Sequence, residues 1–259
     1  MKIGFFDSGI GGLTVLHKAL KFLPNEDYIF YADTIHVPYG EKPKEEVKQY
    51  IFDSIDFLAK QEVKAVVIAC NTATSIAVDD LRKKYDFPIL GIEPAVKPAV
   101  QRSEETRKKV LVLATRLTLK EEKFQNLVKS LDNDDIVESL PLPGLVEFAE
   151  ESEFSDEKVV PYLREALSQF DLTQFGTVVL GCTHFPYFKS CVKKLFADDV
   201  EIIDGSIGTA KNLKRILEAK NQIDNGTGTI TFFDSGQMIE DPETLSNYKK
   251  LLGILDDNL

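Results

Sequence analysis

Apolar and polar positions follow two alternating periods along the chain. Ile3 to Phe6 is an unbroken apolar run that enters the turn Asp7-Ser8-Gly9-Ile10-Gly11-Gly12, after which Leu13, Leu16, Leu20 and Leu23 recur at helical spacing. The run predicts a buried strand and the spacing predicts an amphipathic helix. The alternation continues with a strand over Tyr28 to Tyr31 and a helix marked by Val47, Tyr50, Ile51, Phe57 and Leu58. A strand over Ala65 to Ala69, a helix from about Thr72 to Tyr85 and a short strand over Phe87 to Leu90 follow, ended by Pro94 and Pro98. The series then restarts: strand Val110 to Ala114, helix to about Leu131, strand Ile136 to Leu140, two helical stretches, strand Thr177 to Leu180, a helix after Cys182, and strand Val200 to Ile203. A helix near 207–219, a strand over Thr229 to Phe233 and a helix near 243–252 complete the chain.

Strands that alternate with helices imply parallel sheets joined by right-handed crossovers. AVVIACNTA (65–73) and TVVLGCTHF (177–185) share one shape: apolar strand, small residue, cysteine, polar residue, helix. The expected fold is α/β: two similar α/β domains with mainly parallel central sheets, the active site in the cleft between them. Convergence is the competing explanation, because any parallel strand is an apolar run. FFDSG also occurs twice, at 5–9 and 232–236; the second copy falls elsewhere in the order of elements and reads as coincidence.

Charge and cysteine usage narrow the function classes. Across 259 residues, 31 Lys and Arg stand against 42 Asp and Glu, a net charge of −11. A general nucleic-acid binder needs a cationic footprint, and anionic lipid attracts basic segments, so both partners are unexpected. No apolar run approaches the roughly 18 residues that span a bilayer. Cys70, Cys182 and Cys191 are too few and too far apart for a disulfide framework, which fits a reduced, cytoplasmic setting. MKIGFFDSGIGGLTVL reads as a first strand and turn rather than a signal peptide, since Asp7, Gly9, Gly11 and Gly12 interrupt it.

The glycine turn lies at the carboxyl end of a strand, the edge where open α/β sheets bind ligands. Gly9-x-Gly11 fits part of a dinucleotide fingerprint, with Asp33 near the ribose-binding distance, but position 14 is Thr and Asp7 would face a pyrophosphate. An anion or amino-group site for a small substrate suits it better; a plain tight turn explains the glycines but not Asp7. In DTIHVPYG (33–40), Pro38 fixes a loop and Gly40 lets backbone approach a ligand.

Cys70-Asn71-Thr72 and Cys182-Thr183-His184 each place a thiol where a strand is expected to give way to a helix, a position that lowers a thiol's pKa. A single such cysteine is ordinarily a small buried hydrophobe. Two in matching contexts suggest chemistry, whereas Cys191 has no such context and reads as structural. Zinc at Cys182-x-His184 lacks a second close ligand pair, so no metal is expected. A Cys182–His184 nucleophile is possible on the residues but leaves Cys70 idle. Two thiols on facing domains can instead take a proton from one face of a carbon and return one to the other, inverting it without a cofactor. Ordinary thiol pKa values near 8.5 permit one ionised and one protonated member. Asp7 and His184 would tune or relay those protons.

DSGIGG, DTIHVPYG, ACNTA and GCTHFP, in this order and spacing, resemble the glutamate racemases of the aspartate/glutamate racemase superfamily, as do GIEPAVKPAV (91–100) and LATRLT (113–118). The resemblance implies cofactor-independent interconversion of L- and D-glutamate, with Cys70 taking the α-proton from D-glutamate and Cys182 from L-glutamate. It implies assisting roles for Asp7 and His184, substrate contacts from Asp7, Ser8, Tyr39, Gly40, Asn71, Thr72, Thr183 and His184, and an acidic group, Glu150, near them. It implies a homodimer, D-glutamate for peptidoglycan synthesis, and a first domain of residues 1–97 plus 207–259 around a second of 98–206. Ile35-His36 departs from the small residues that many relatives carry in this loop. A racemase of another small acidic amino acid, or a non-catalytic amino-acid-binding protein, is the alternative reading.

Overall fold

The structure, a computed structural model, describes residues 1–132, 135–224 and 226–257. Its first half alternates β1 (Ile3–Asp7), α1 (Leu13–Phe22), β2 (Tyr28–Ala32), α2 (Lys44–Lys60), β3 (Ala65–Ile68), α3 (Asn71–Lys84) and β4 (Ile89–Gly91). After α4 (Val96–Thr106) come β5 (Lys109–Ala114), α5 (Arg116–Lys120), α6 (Glu122–Leu131), β6 (Val137–Pro141), α7 (Pro143–Glu150), α8 (Asp156–Leu167), β7 (Phe175–Leu180), α9 (Lys189–Lys193) and β8 (Glu201–Asp204). The chain ends with α10 (Ser206–Ala219), β9 (Ile230–Asp234), β10 (Gln237–Met238) and α11 (Pro242–Asp257). Amphipathic spacing explains the helices: in α2, Val47, Ile51, Ile55 and Leu58 are all buried on one face. Each such side chain contributes roughly 1.5–3 kcal/mol by leaving water.

The strands form two sheets, ordered β10-β9-β2-β1-β3-β4 and β6-β5-β7-β8. All pairs are parallel except β10 with β9. Numbered from its own first strand, each sheet contains the order second-first-third-fourth, so the two series share a topology as well as a sequence shape. In each, the strand order reverses beside the first strand, and the residues at or just past the ends of the first and third strands meet at that crevice. Asp7 and Cys70 occupy these positions in the larger sheet, Thr115 and Cys182 in the smaller.

The second FFDSG occupies a matching rank in the larger sheet. Phe5, Phe30 and Phe232 lie in one row across β1, β2 and β9, followed by Phe6, Tyr31 and Phe233, then Asp7, Ala32 and Asp234. The pleat sends the first row to the core beneath α1, α10 and α11, and the second to the core beneath α2 and α3. The inner core continues into the face of the smaller sheet covered by α7, α8 and α9. Lys64, 3 % exposed, ties the returning chain down: its Nζ donates to Glu26 Oε2 at 2.6 Å, the Gln222 carbonyl at 2.7 Å and Asp224 Oδ2 at 2.9 Å.

Two expected helices differ. The stretch after β5 breaks at Glu121, whose backbone is extended between α5 and α6. Beyond Cys182 there is a 3₁₀ turn, Phe185–Phe188, and only then the five-residue α9. Pro186 supplies no N–H there, and Phe185, Tyr187 and Phe188 all turn into the core.

Candidate active site

One cleft between the sheets is lined by Ser8, Pro38, Tyr39, Gly40, Glu41, Cys70, Asn71, Thr72, Thr115, Pro143, Val146, Cys182, Thr183 and His184; about 380 Å³ of space, partly open to solvent, lies between them. Both sulfurs therefore border the same space, one from each sheet, and both are nearly dry, with Cys70 4 % and Cys182 6 % exposed. Asp7 and Glu150 do not line it; they stand behind the lining residues and connect the two halves.

Cys70 caps α3, accepting from Ala73 N–H at 3.4 Å, and Ser8 Oγ lies 3.8 Å from its sulfur. The helix start does not dominate. Burial pushes the Cys70 thiol well above its ordinary value, and the Asp7 charge pushes the same way. The expectation of a lowered thiol is thus reversed at Cys70, because desolvation of a thiolate outweighs one helix end. Asp7 is itself fully buried, accepting from Gly12 N–H at 2.6 Å and Thr183 Oγ1–H at 3.4 Å. Burial raises its carboxyl to about 6, against the opposing pull of His184 and the Gly12 bond.

Cys182 faces a cation instead. Its Sγ lies 3.7 Å from His184 Nδ1, and His184 Nε2 donates to Glu150 Oε1 at 2.5 Å. Burial works to discharge this imidazole, but its bonds to Cys182 and Glu150 prevail and hold its pKa well above the ordinary value. The helix expected here is replaced by the 3₁₀ turn, so the positive neighbour of Cys182 is a side chain rather than a helix dipole.

The glycine turn works differently from its sequence reading. Its N–H groups at Ile10 and Gly12 are taken by Glu150 Oε1, at 2.9 Å, and by Asp7. Neither Gly9 nor Gly11 has a left-handed backbone. A Cβ at Gly9 would sit 1.9 Å from Glu150 Oε1, and one at Gly11 would sit 2.5 Å from His184 Nδ1. These glycines let the two halves meet at close range. Thr14 Oγ1, donating within 3.0 Å of the Thr183 carbonyl, and Tyr187 OH, donating to the Ile10 carbonyl at 3.3 Å, add to this seam.

The opposite wall is polar. Thr72, Thr115 and Thr118 hydroxyls form a buried ring with separations of 2.9, 3.1 and 2.9 Å. Thr115 and Thr118 are site residues that the sequence reading did not single out, although Thr-x-x-Thr within LATRLT carries an N-cap signature: Thr118 N–H donates to Thr115 Oγ1. Asn71 Oδ1 is a buried acceptor with no hydrogen-bond partner among the described residues. Tyr39 gives its hydroxyl to Asp33 Oδ2 at 2.5 Å, so only its ring and backbone serve the cleft. Lys44 to Glu121, at 2.6 Å, and Arg116 to Glu41, at 3.3 Å, are ion pairs across this wall. Cys191 is buried away from the site, its Sγ 3.4 Å from Asp156 Oδ1. Among the described residues, no group of three or more His, Cys, Asp or Glu could hold a metal ion, and no helix is long and apolar enough to cross a membrane.

Residues 16–211 match the profile of the Asp/Glu/Hydantoin racemase family. The chain is 63 % identical over 257 residues to glutamate racemase 2 of Bacillus subtilis (strain 168), covering 99 % of this chain and 97 % of the relative. Escherichia coli glutamate racemase, in complex with L-glutamate and the activator UDP-MurNAc-ala, superposes with a TM-score of 0.82 at 28 % identity, covering 95 % of each chain. Glutamate racemase from Francisella tularensis, in complex with D-glutamate, superposes with a TM-score of 0.80 at 29 % identity, covering 97 % of this chain and 92 % of the other.

Proposed function

The chain belongs to the glutamate racemases of the Asp/Glu/Hydantoin racemase family, and on that premise we propose that it inverts the α-carbon of glutamate with two thiols and no cofactor. The observation that carries this reading is that Cys70 and Cys182 border one cleft from two sheets of the same topology. With D-glutamate bound, Cys70 as thiolate takes the α-proton and the Cys182 thiol delivers one to the opposite face. With L-glutamate the roles exchange. Each turnover leaves the proton on the other sulfur, and Asp7 beside Cys70 and His184 beside Cys182 return the pair to its starting state.

The surroundings support these assignments. A cleft this dry strengthens every polar contact to a developing carbanion. Asn71 Oδ1 is an acceptor suited to the substrate ammonium group. Ser8, Thr72, Thr183 and the Tyr39-Gly40 backbone offer donors to the carboxylates. Glu150 anchors the His184 ring. In the same reading the enzyme is a cytoplasmic homodimer built from units 1–97 plus 207–259 and 98–206, and its product feeds peptidoglycan synthesis.

The test is racemisation in deuterated water. Product of inverted configuration should carry deuterium at the α-carbon while unreacted substrate stays unlabelled at early times. Equal early labelling of both enantiomers would point to a single base and overturn the two-thiol reading. Assaying both enantiomers of aspartate alongside glutamate checks the substrate assignment.

A further inference from the structure

The loop that carries Pro38, Tyr39, Gly40 and Glu41 into the cleft is held by a hub that itself stays outside it. Asp33, 3 % exposed, directly follows β2 and is absent from the cleft lining. Its carboxylate receives the Tyr39 hydroxyl at 2.5 Å, and both its oxygens lie 2.9 Å from His36 Nδ1. An ionised carboxylate only accepts, so the ring nitrogen donates. Asp33 N–H in turn donates to the Asp7 carbonyl at 3.0 Å, which fixes the hub to the end of β1. His36 lies flat on Tyr50 of α2, with ring centroids 3.6 Å apart and planes 13° from parallel. The far side of the loop is pressed against the other sheet: a Cβ at Gly40 would sit 2.7 Å from Thr115 Cβ. A displacement of this loop of a few tenths of an ångström would therefore change the cleft. The proposed chemistry leaves His36 unused.

We infer that Asp33, His36 and Tyr50 are positioning residues for substrate binding: the Tyr50–His36 stack orients the imidazole, the imidazole orients Asp33, and Asp33 holds Tyr39 and the Pro38–Gly40 wall against the bound amino acid. This rests on the glutamate reading above and deepens it. Because none of the three touches the thiols or the reacting carbon, they act on the fit of the substrate and not on the proton transfers.

The test compares His36→Ala, His36→Asn and Tyr50→Leu with the unaltered enzyme. His36→Ala removes both the donor and the stacked ring. A lost hydrogen bond to a charged group corresponds to about tenfold in affinity. His36→Ala should raise KM for both enantiomers about tenfold with kcat within about twofold. His36→Asn keeps a donor near the Nδ1 position and should recover most of that loss, and Tyr50→Leu should give a smaller rise of the same kind. Calorimetric titration with D-glutamate should show the same weakening, so the inference is decided even if turnover is absent. Absent turnover in the unaltered enzyme would overturn the racemase reading, whereas turnover with an unmoved KM and unmoved affinity in His36→Ala would overturn only the positioning inference. A fall in kcat with KM unchanged, or a lowered melting temperature with both constants unchanged, would also overturn it. If His36→Ala does not fold, Tyr50→Leu and His36→Asn decide the matter on the same criteria.

Discussion

The two thiols sit in matching places and in unlike company. Cys70 has a buried acid nearby and a helix start beneath it; Cys182 has an imidazole braced by a carboxylate and only a 3₁₀ turn after it. Near Cys70 the dominant influences, burial and the Asp7 charge, both oppose a thiolate. Beside Cys182 the charged neighbour is a cation. Two copies of one strand-cysteine motif thus acquire unlike charged neighbours: the Asp7 carboxyl at the end of β1 for Cys70, and for Cys182 the imidazole two residues on, braced by Glu150 of α7. A dipole argument made from local sequence sees neither the Asp7 charge beside Cys70 nor the Glu150 brace behind His184.

The largest expected effect removes the pair. Cys70→Ser and Cys182→Ser should each cut racemisation by about a thousandfold or more, within the range of general acid–base catalysis. Thermal melting should change little and calorimetric glutamate binding should persist. Near-normal rates in either variant would make the two sites unequal partners, or one of them a bystander.

Asp7→Asn and His184→Asn probe the asymmetry. Each should lower kcat/KM by about tenfold to a hundredfold. The loss must be equal in both directions, because enantiomers have equal free energies and the ratio of the two kcat/KM values is fixed at one. The difference between the sites should appear in the α-deuterium isotope effects, with one direction affected more by Asp7→Asn and the other by His184→Asn. Identical changes in both directions for both variants would erase the distinction.

Asp7 also makes a prediction about stability. Its folded pKa, about 6, lies above the ordinary 3.8, so the folded state binds the proton more tightly than the unfolded chain. Its contribution is therefore fully present below about pH 4 and is lost as pH rises through about 6, a swing of about 3 kcal/mol. Asp7→Asn should flatten this segment of the stability curve in chemical denaturation. Parallel curves for the two proteins between pH 4 and 7 would count against a raised Asp7.

A smaller effect tests the seam. Gly11→Ala drives a methyl into His184 and Thr183 and should cost about 1–3 kcal/mol, together with activity. Gly208→Ala in α10 meets nothing within 4 Å and should gain roughly 0.5–1 kcal/mol from helix propensity. Urea titration of both variants would measure the contrast, and equal behaviour would mean that close approach is not what Gly11 provides.

The strands were readable in the sequence because parallel strands buried on both faces are plain apolar runs. The pairing of the two series was readable too, since AVVIACNTA and TVVLGCTHF repeat the shape that becomes the third strand of each sheet. The break at Glu121 was hidden: apolar spacing continues through it, while its buried side chain is fixed by Lys44 from the other half. The seam was hidden for the same reason, as Glu150, Thr183 and Tyr187 reach Ile10 and Asp7 only after folding. Glycine identity was visible, but a demand for space and a demand for an unusual backbone look alike until the neighbours are in place.

The last parallel strand has a consequence for biosynthesis. β9 pairs with β2, and Asp27 bonds with Thr227 across 200 positions of sequence. As the chain leaves the ribosome, every strand of the four-stranded sheet has emerged before the second partner of β2 exists, β1 being the first. Until β9 arrives, β2 presents an open row of N–H and C=O groups, the kind of edge that recruits strands from other molecules. A nascent chain halted between β8 and β9 would therefore hold both cysteines, yet be far more prone to aggregate than to function.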